Sequence, residues 1–166
     1  MQNNTRILGV DPGYERLGIA VIEKNSAQKE TLLFSDCIRT SPKKEHAVRL
    51  LEIQQALSEC MSEYTPSVLA IETLFITKNQ KTAIKVAEAR GVILTQAASY
   101  SMDIHEFTPL QIKQAVTGYG KSQKHQVMST LPHILRIDKD IYYDDEYDAI
   151  AVGITCSSVL NSPLFR

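Results

Sequence analysis

The sequence of 166 residues lacks the features that mark several special classes of protein. It has no tryptophan, and its three cysteines, Cys37, Cys60 and Cys156, are too widely spaced for a CxxC pair. A disulfide framework is therefore not expected. The apolar runs fall well short of the roughly 20 residues that a membrane span requires. No signal peptide precedes the first predicted strand, so we expect a cytoplasmic protein without membrane association.

Glycine and proline are sparse, with 7 and 6 residues, and no repeat or low-complexity stretch interrupts the chain. We therefore predict a single domain over residues 1–166. The net charge of −1 argues weakly against a nucleic-acid binder. However, residues 76–125 contain seven basic residues against three acids, whereas residues 138–148 contain six acids against one lysine. This distribution fits a phosphate-binding surface around a metal site, although two solvated helix faces would produce it as well.

Apolar periodicity and turn residues predict an α/β fold with a five-stranded mixed sheet flanked by helices. The first three strands are joined by short links and should form an antiparallel meander. The remaining strands alternate with helices and should run parallel to their neighbours. Strands are predicted at about 6–10, 17–23, 30–40, 68–71 and 104–107. Helices are predicted at about 44–64, 79–100, 109–117, 122–135 and 144–159, with Ser122 as a cap and a kink or break at Pro132.

Four carboxylates lie at the ends of apolar elements. Asp11 and Glu72 each follow a buried strand, and Asp145 and Asp148 lie three residues apart at the start of the last helix. Each acid has an ordinary explanation, as a turn former, a strand end that reaches water, or a residue that favours a helix N-terminus. Nevertheless, a carboxylate at the end of a buried strand is costly to desolvate unless a positive charge accompanies it.

A divalent cation is a natural partner for these acids, because no lysine or arginine adjoins either strand-end acid in sequence. If the first and fourth strands are neighbours, Asp11 and Glu72 converge where open α/β sheets bind ligands. Carboxylates suit Mg²⁺, and two such ions about 4 Å apart can activate water and stabilise a leaving oxygen. The four histidines show no metal-ligand spacing, so we expect no zinc site.

A stripe of small residues follows the long middle helix, with Ala83, Ala87 and Gly91 at intervals of four. Val86, Ile93 and Leu94 add apolar area beside this stripe. Such a stripe lets another backbone approach closely. It indicates either close packing on the protein's own sheet or a face for self-association.

Several ordered blocks resemble a known family. Leu8–Gly13, Ala70–Phe75, Ala87–Val92 and Asp145–Ala151 are similar to the signature blocks of the RuvC crossover-junction endodeoxyribonucleases, and Gln111–Gly120 resembles a further block. The resemblance covers about residues 6–159. It implies a ribonuclease H-like fold, a homodimer, and Mg²⁺-dependent paired nicking of four-way DNA junctions. It also implies that a branch-migration motor delivers the protein to its substrate.

The resemblance also assigns roles to individual residues. Asp11, Glu72, Asp145 and Asp148 would bind two Mg²⁺ ions, for which Mn²⁺ can substitute. Phe75 matches an aromatic that stacks on bases, and Lys113 and Lys124 match basic positions near the scissile phosphate. Further basic residues near these positions could follow the DNA backbone, namely Lys78, Lys81, Lys85, Arg90 and Lys121. The ordinary alternatives are a core phenylalanine and solvated helix residues.

Three other functions remain as alternatives at this point. An actin-like ATPase or sugar kinase shares the strand–turn–strand start, but it needs a second domain for which 166 residues leave no room. Loss of any of the four acids would have favoured a catalytically silent junction-binding protein, and none is lost. A nuclease of the same fold that acts on flaps or RNA–DNA hybrids would retain them all.

Overall fold

The computed structural model describes residues 4–27, 29–74 and 80–160, and of residues 80 and 81 it describes the backbone alone. Strands and helices follow one another in the predicted order. The strands are β1 Thr5–Asp11, β2 Arg16–Lys24, β3 Glu30–Arg39, β4 Val68–Glu72 and β5 Asp103–Phe107. The helices are α1 His46–Tyr64, α2 Gln80–Ser99, α3 Pro109–Thr117, α4 Lys124–Ile134 and α5 Asp144–Val159. Across these ranges no helix is long and apolar enough to cross a membrane.

The sheet has the order β3-β2-β1-β4-β5, which confirms the predicted five-stranded mixed sheet. The first three strands pair antiparallel, and β4 pairs parallel with both β1 and β5. The register of β1 and β4 places Val10 opposite Ile71. Asp11 and Glu72 are the next residues of these two strands, so they lie side by side at one edge of the sheet, as expected for neighbouring parallel strands.

Alternation along the strands divides the core between the two faces of the sheet. On one face Ile7 and Ile22 pack with α3, α4 and α5, where Ile150 is completely buried. On the other face Leu8 and Val10 pack with α1 and α2. The sheet thus lies between two helical layers, and α5 crosses β1 and β2 directly.

Two glycines allow the backbone of α5 to touch the sheet. A Cβ on Gly9 would lie 2.3 Å from the carbonyl oxygen of Ala149, and a Cβ on Gly18 would lie 2.0 Å from that of Asp145. Gly18 thereby makes room for the first turn of α5 and so brings Asp145 to the sheet edge.

The start of α4 differs from the prediction, whereas its end near Leu135 agrees. Gln123 is the N-cap residue, and its backbone N–H donates to Oε1 of Gln126 at 2.8 Å. The Ser122 hydroxyl is instead buried in the preceding loop, where it donates to the carbonyl oxygen of Tyr119 at 2.7 Å. Pro132 lies inside α4 without ending it, since the helix continues to Ile134. A proline so close to the C-terminus removes a helical hydrogen bond only from the last turn.

Candidate active site

The four predicted acids lie together at the carboxyl edge of β1 and β4. Burial, together with repulsion from Asp148, Glu72 and Asp145, raises the pKa of Asp11 from 3.8 to about 7, although Lys124 opposes the shift. All three neighbours act on Asp11, so these carboxylates share one site despite their separation in sequence. Asp11 ends β1, Glu72 ends β4, and the other two acids occupy the first turns of α5.

Two further acids of the site have raised pKa values. For Glu72 burial is the main cause, followed by repulsion from Asp148, while Lys113 and Lys124 oppose the shift. For Asp148 burial is again the largest cause, and a hydrogen bond from Lys124 opposes it. Burial and repulsion between the acids therefore outweigh the stabilisation that the two lysines give these carboxylates.

Lys124 bridges two acids of α5. Its Nζ atom donates to Oδ2 of Asp148 at 2.6 Å and lies 2.6 Å from Oδ2 of Asp144. Burial alone would lower the pKa of Lys124, but these two contacts outweigh it and raise the pKa. The sequence offered no signal for Asp144 as a partner, because it resembled an ordinary acid at a helix N-terminus.

A cleft of about 230 Å³ opens between Glu72 and Asp148. Lys113 and Lys124 line this cleft together with apolar side chains of α3, α4 and α5. Both lysines that the resemblance assigns to the neighbourhood of the scissile phosphate therefore lie beside the acidic centre. A phosphate group in this cleft would meet positive charge beside the carboxylates.

Arg16 pairs with Asp145 on the other side of the acidic centre. The Arg16 Nε atom lies 3.3 Å from Oδ2 of Asp145, yet this buried oxygen accepts no hydrogen bond within the described part of the chain. The hydroxyl of Thr73, next to Glu72, is also buried and unpaired there. Two buried oxygen atoms, one on Asp145 and one beside Glu72, therefore lack a hydrogen bond in the described residues. Sequence reasoning missed Arg16, since its proximity to Asp145 depends on how α5 meets β2.

The donor set suits a hard divalent cation, because its carboxylates are only partly compensated by cations and one buried carboxylate oxygen lacks a hydrogen bond in the described residues. Nevertheless, in the described residues no group of three or more His, Cys, Asp or Glu side chains stands ready to hold a metal ion. Lys124 and Arg16 occupy oxygens of Asp148 and Asp145. These side chains would have to exchange partners before the four acids could converge on ions.

The other basic residues predicted to contact DNA have differing surroundings. Lys85 lines a second cleft beside Asp145, with its Nζ atom 5.4 Å from the centre of the Tyr14 ring. Arg90 is held by Glu106 of β5, with 2.5 Å between Nη2 and Oε2, and Lys121 is exposed in the loop between α3 and α4. Phe75 and Lys78, as well as the Lys81 side chain, lie outside the described residues.

The small-residue stripe of α2 faces away from the sheet. Ala87 and Gly91 are exposed, and a Cβ on Gly91 would meet no atom within 4 Å. The residues that pack on the sheet are instead Ala89, Ile93 and Ala97. An apolar groove between α1 and α2 adjoins the stripe, with Leu50, Leu51, Gly91 and Val92 among its lining residues. Close packing on the protein's own sheet is therefore wrong as an explanation of the stripe.

Comparison with known proteins identifies the family. Residues 7–156 match the family model described as crossover junction endodeoxyribonuclease RuvC. The chain is 45% identical over 147 residues to the protein of that name from Petrotoga mobilis, with 89% of this chain and 90% of the relative covered. It is 39% identical to the one from Caldicellulosiruptor saccharolyticus, with 93% and 96% covered.

Solved structures agree with this assignment. Thermus thermophilus RuvC in complex with a Holliday junction substrate superimposes with a TM-score of 0.85 at 28% identity, over 91% of this chain and 92% of that one. A yeast mitochondrial Holliday junction resolvase shares the fold alone, with a TM-score of 0.70 at 10% identity over 92% and 78% of the two chains. The sheet and its helices form a ribonuclease H-like fold, and the chain belongs to the RuvC family of crossover junction endodeoxyribonucleases.

Proposed function

We propose that this protein resolves Holliday junctions by paired, symmetric nicks during homologous recombination and DNA repair. The observation that carries the proposal is the convergence of Asp11, Glu72, Asp145 and Asp148 at one sheet edge in a RuvC-family chain. A catalytically silent junction binder would have no use for four mutually repelling acids, which destabilise the free protein.

Mg²⁺ is the proposed cofactor, with two ions per active site held by these four acids and with Mn²⁺ as a substitute. When bound, such ions supply the positive charge that activates water and stabilises the leaving oxygen in an in-line displacement at phosphorus. The protein's own part is to present hard oxygen ligands at the end of a rigid sheet. Asp11 must also lose its proton, because its pKa of about 7 leaves it partly protonated near neutral pH.

Lys113 and Lys124 have a separate task in this proposal. Both line the cleft beside Glu72 and Asp148, where a non-bridging phosphate oxygen could accept hydrogen bonds from them. Charge-assisted donors placed where negative charge develops stabilise a phosphoryl transition state. Lys124 would have to leave Asp144 and Asp148 to reach the phosphate, which links substrate entry to the release of carboxylate oxygens.

A homodimer is part of the same proposal, since a two-fold axis would place two active sites on strands of like polarity. The exposed stripe of α2 and the adjoining groove between α1 and α2 provide an apolar surface for a second copy. We also propose a cytoplasmic location, which rests on the sequence features, and delivery by a branch-migration motor, which rests on the family resemblance.

The test is a nicking assay on three labelled substrates: a mobile four-way junction, a flap and an RNA–DNA hybrid. Each is incubated with and without Mg²⁺, using the unmodified protein, Asp11→Asn, and Asp140→Asn as a control that changes an exposed acid outside the site. We expect Mg²⁺-dependent, paired cuts in the junction.

Loss of an outer partner of a metal ligand costs about 10–100-fold in activity, so Asp11→Asn should cost at least this much. Asp140→Asn should cut normally. Cutting of the hybrid alone would exclude the junction function, and normal cutting by Asp11→Asn would exclude the proposed metal site.

A further inference from the structure

Arg16 and Arg39 form an unusual pair beside the active site. They are directly opposite each other on the antiparallel strands β2 and β3, and both are exposed. Like charges at opposed positions destabilise a strand pair unless another group compensates them. A third residue must therefore explain why this arrangement is maintained.

Tyr143, the residue immediately before α5, provides the compensation. The guanidinium carbon of Arg39 lies 5.1 Å from the centre of the Tyr143 ring, and that of Arg16 lies 6.0 Å away. Nη1 of Arg39 also donates to the Tyr143 hydroxyl at 2.7 Å. Arginine stacks on aromatic faces while its N–H groups stay free to bind a carboxylate or a phosphate.

Of the two arginines, Arg16 also contacts the acidic centre, with 3.3 Å between its Nε atom and Oδ2 of Asp145. The contact is loose, because Oδ2 of Asp145 accepts no hydrogen bond in the described residues and the Arg16 side chain is 51% exposed. Lys85 lines the same cleft as Arg16. Glu15 is the other acid of this cleft, and it is exposed.

The cations on the Asp145 side of the acidic centre are different residues from those assigned to the scissile phosphate. Lys113 and Lys124 line the cleft beside Asp148, whereas Arg16 and Lys85 line the cleft beside Asp145. A DNA strand that crosses the acidic centre must continue on both sides of it. On the Asp145 side its phosphates would meet the two arginines.

We propose that Arg16 and Arg39, stacked on Tyr143, bind the DNA backbone on the Asp145 side of the active site. In the free protein Arg16 also supplies positive charge to Asp145, and it turns to the DNA phosphate when a divalent ion replaces it there. The ligand class rests on the proposed function, because it takes the substrate to be DNA. No chemical step is involved, only an exchange of ion pairs.

The two arginines differ in a way that makes the proposal testable. Arg16→Gln removes a competitor for Asp145, so Mn²⁺ should bind about two- to fivefold more tightly, the range of an exposed ion pair. Arg39 does not contact Asp145, so Arg39→Gln should leave Mn²⁺ affinity unchanged. Free Mn²⁺ is measured by electron paramagnetic resonance in the absence of DNA.

Both variants should weaken DNA binding, measured by fluorescence anisotropy on a labelled junction and a linear duplex with Ca²⁺ in place of Mg²⁺. Loss of one phosphate contact should lower affinity by about three- to tenfold and make the salt dependence shallower by about 0.9 in log–log slope. Arg39→Lys keeps the charge but loses the planar guanidinium group, so its affinity for DNA should lie between that of the unmodified protein and that of Arg39→Gln. Arg136→Gln is the control, since that arginine is 86% exposed and pairs with Asp138.

The outcomes separate this inference from the proposed function. If the unmodified protein cuts junctions while both glutamine variants bind both DNAs as tightly as Arg136→Gln, the phosphate site is wrong and the function stands. If the variants lose affinity but the unmodified protein cuts no junction, the function is wrong and the phosphate site stands. Unchanged or weaker Mn²⁺ binding by Arg16→Gln would overturn the exchange at Asp145. Thermal melting of each variant verifies that it is folded.

Discussion

Replacing Asp11 by asparagine should stabilise the metal-free protein, and the gain should grow with pH. The pKa of Asp11 is raised from 3.8 to about 7 in the folded protein, first by burial and then by the charges of Asp148, Glu72 and Asp145. In the unfolded chain these causes are absent. Between pH 3.8 and about pH 7 the Asp11 carboxyl therefore holds a proton in the folded state that it has lost in the unfolded state.

The sign follows from proton linkage. Stability falls with pH wherever the folded state binds more protons, so the Asp11 carboxylate costs almost nothing below pH 3.8 and its full amount above pH 7. At about 1.36 kcal/mol per pKa unit, the full amount is of the order of 4 kcal/mol. This is a large share of the roughly 5–15 kcal/mol that stabilises an ordinary domain.

The assay is urea unfolding in EDTA from pH 4 to pH 8.5, with the unmodified protein, Asp11→Asn and the exposed control Asp140→Asn. The gain for Asp11→Asn should be close to zero at pH 4 and should approach 4 kcal/mol at pH 8. Mg²⁺ should reduce or reverse this gain, because a bound ion stabilises only the folded chain that can ligate it. A gain that is the same at every pH would refute the reasoning, since it would have to come from packing rather than from ionisation.

Three other substitutions address separate parts of the structure. Lys124→Gln should tighten Mn²⁺ binding, because it frees the Asp148 carboxylate. It should also slow junction cutting by about 10²–10³-fold, because a hydrogen-bond donor to the phosphate is lost. Unchanged cutting would contradict that role of Lys124. Gly18→Ala should lower the free energy of unfolding by at least about 1–3 kcal/mol, because its Cβ would lie 2.0 Å from the carbonyl oxygen of Asp145; urea unfolding measures the loss, and an unaffected stability would contradict the close approach. Leu51 is an apolar residue of the α1–α2 groove that is 52% exposed. Leu51→Glu should sediment as a monomer and make unpaired nicks, whereas a stable dimer would place the interface elsewhere.

The sheet and the position of the acids could be predicted from sequence because they depend on local signals. An apolar strand that ends in a carboxylate is visible in the chain itself, as at Asp11 and Glu72. Short links specify antiparallel neighbours, and helical crossovers specify parallel ones. Once β1 and β4 are adjacent, the two acids must meet, as the register of the two strands confirms.

The partners of the acids could not be predicted, because they come from distant parts of the chain. Arg16, Arg39 and Tyr143 occupy positions that a binary pattern describes only as exposed or polar. Their contact depends on where α5 crosses β2, which Gly18 determines through the absence of a side chain. The Ser122 cap failed for a related reason. A serine near a helix start is a good cap in general, but here the Tyr119 carbonyl oxygen takes its hydroxyl.

The net charge of −1 carries little weight against DNA binding once the charges are placed in the structure. Asp144 and Asp148 are paired with Lys124, Asp145 is paired with Arg16, and Glu146 is buried against Lys139. Much of the acidic segment is thus either neutralised internally or placed where divalent ions would neutralise it. Exposed cations on both sides of the site then determine the local potential that a phosphate strand meets. In the proposed exchange, Lys124 and Arg16 move from carboxylates to DNA phosphates when metal ions bind those carboxylates. Bound metal should therefore increase the affinity for DNA, and bound DNA should increase the affinity for metal by the same factor.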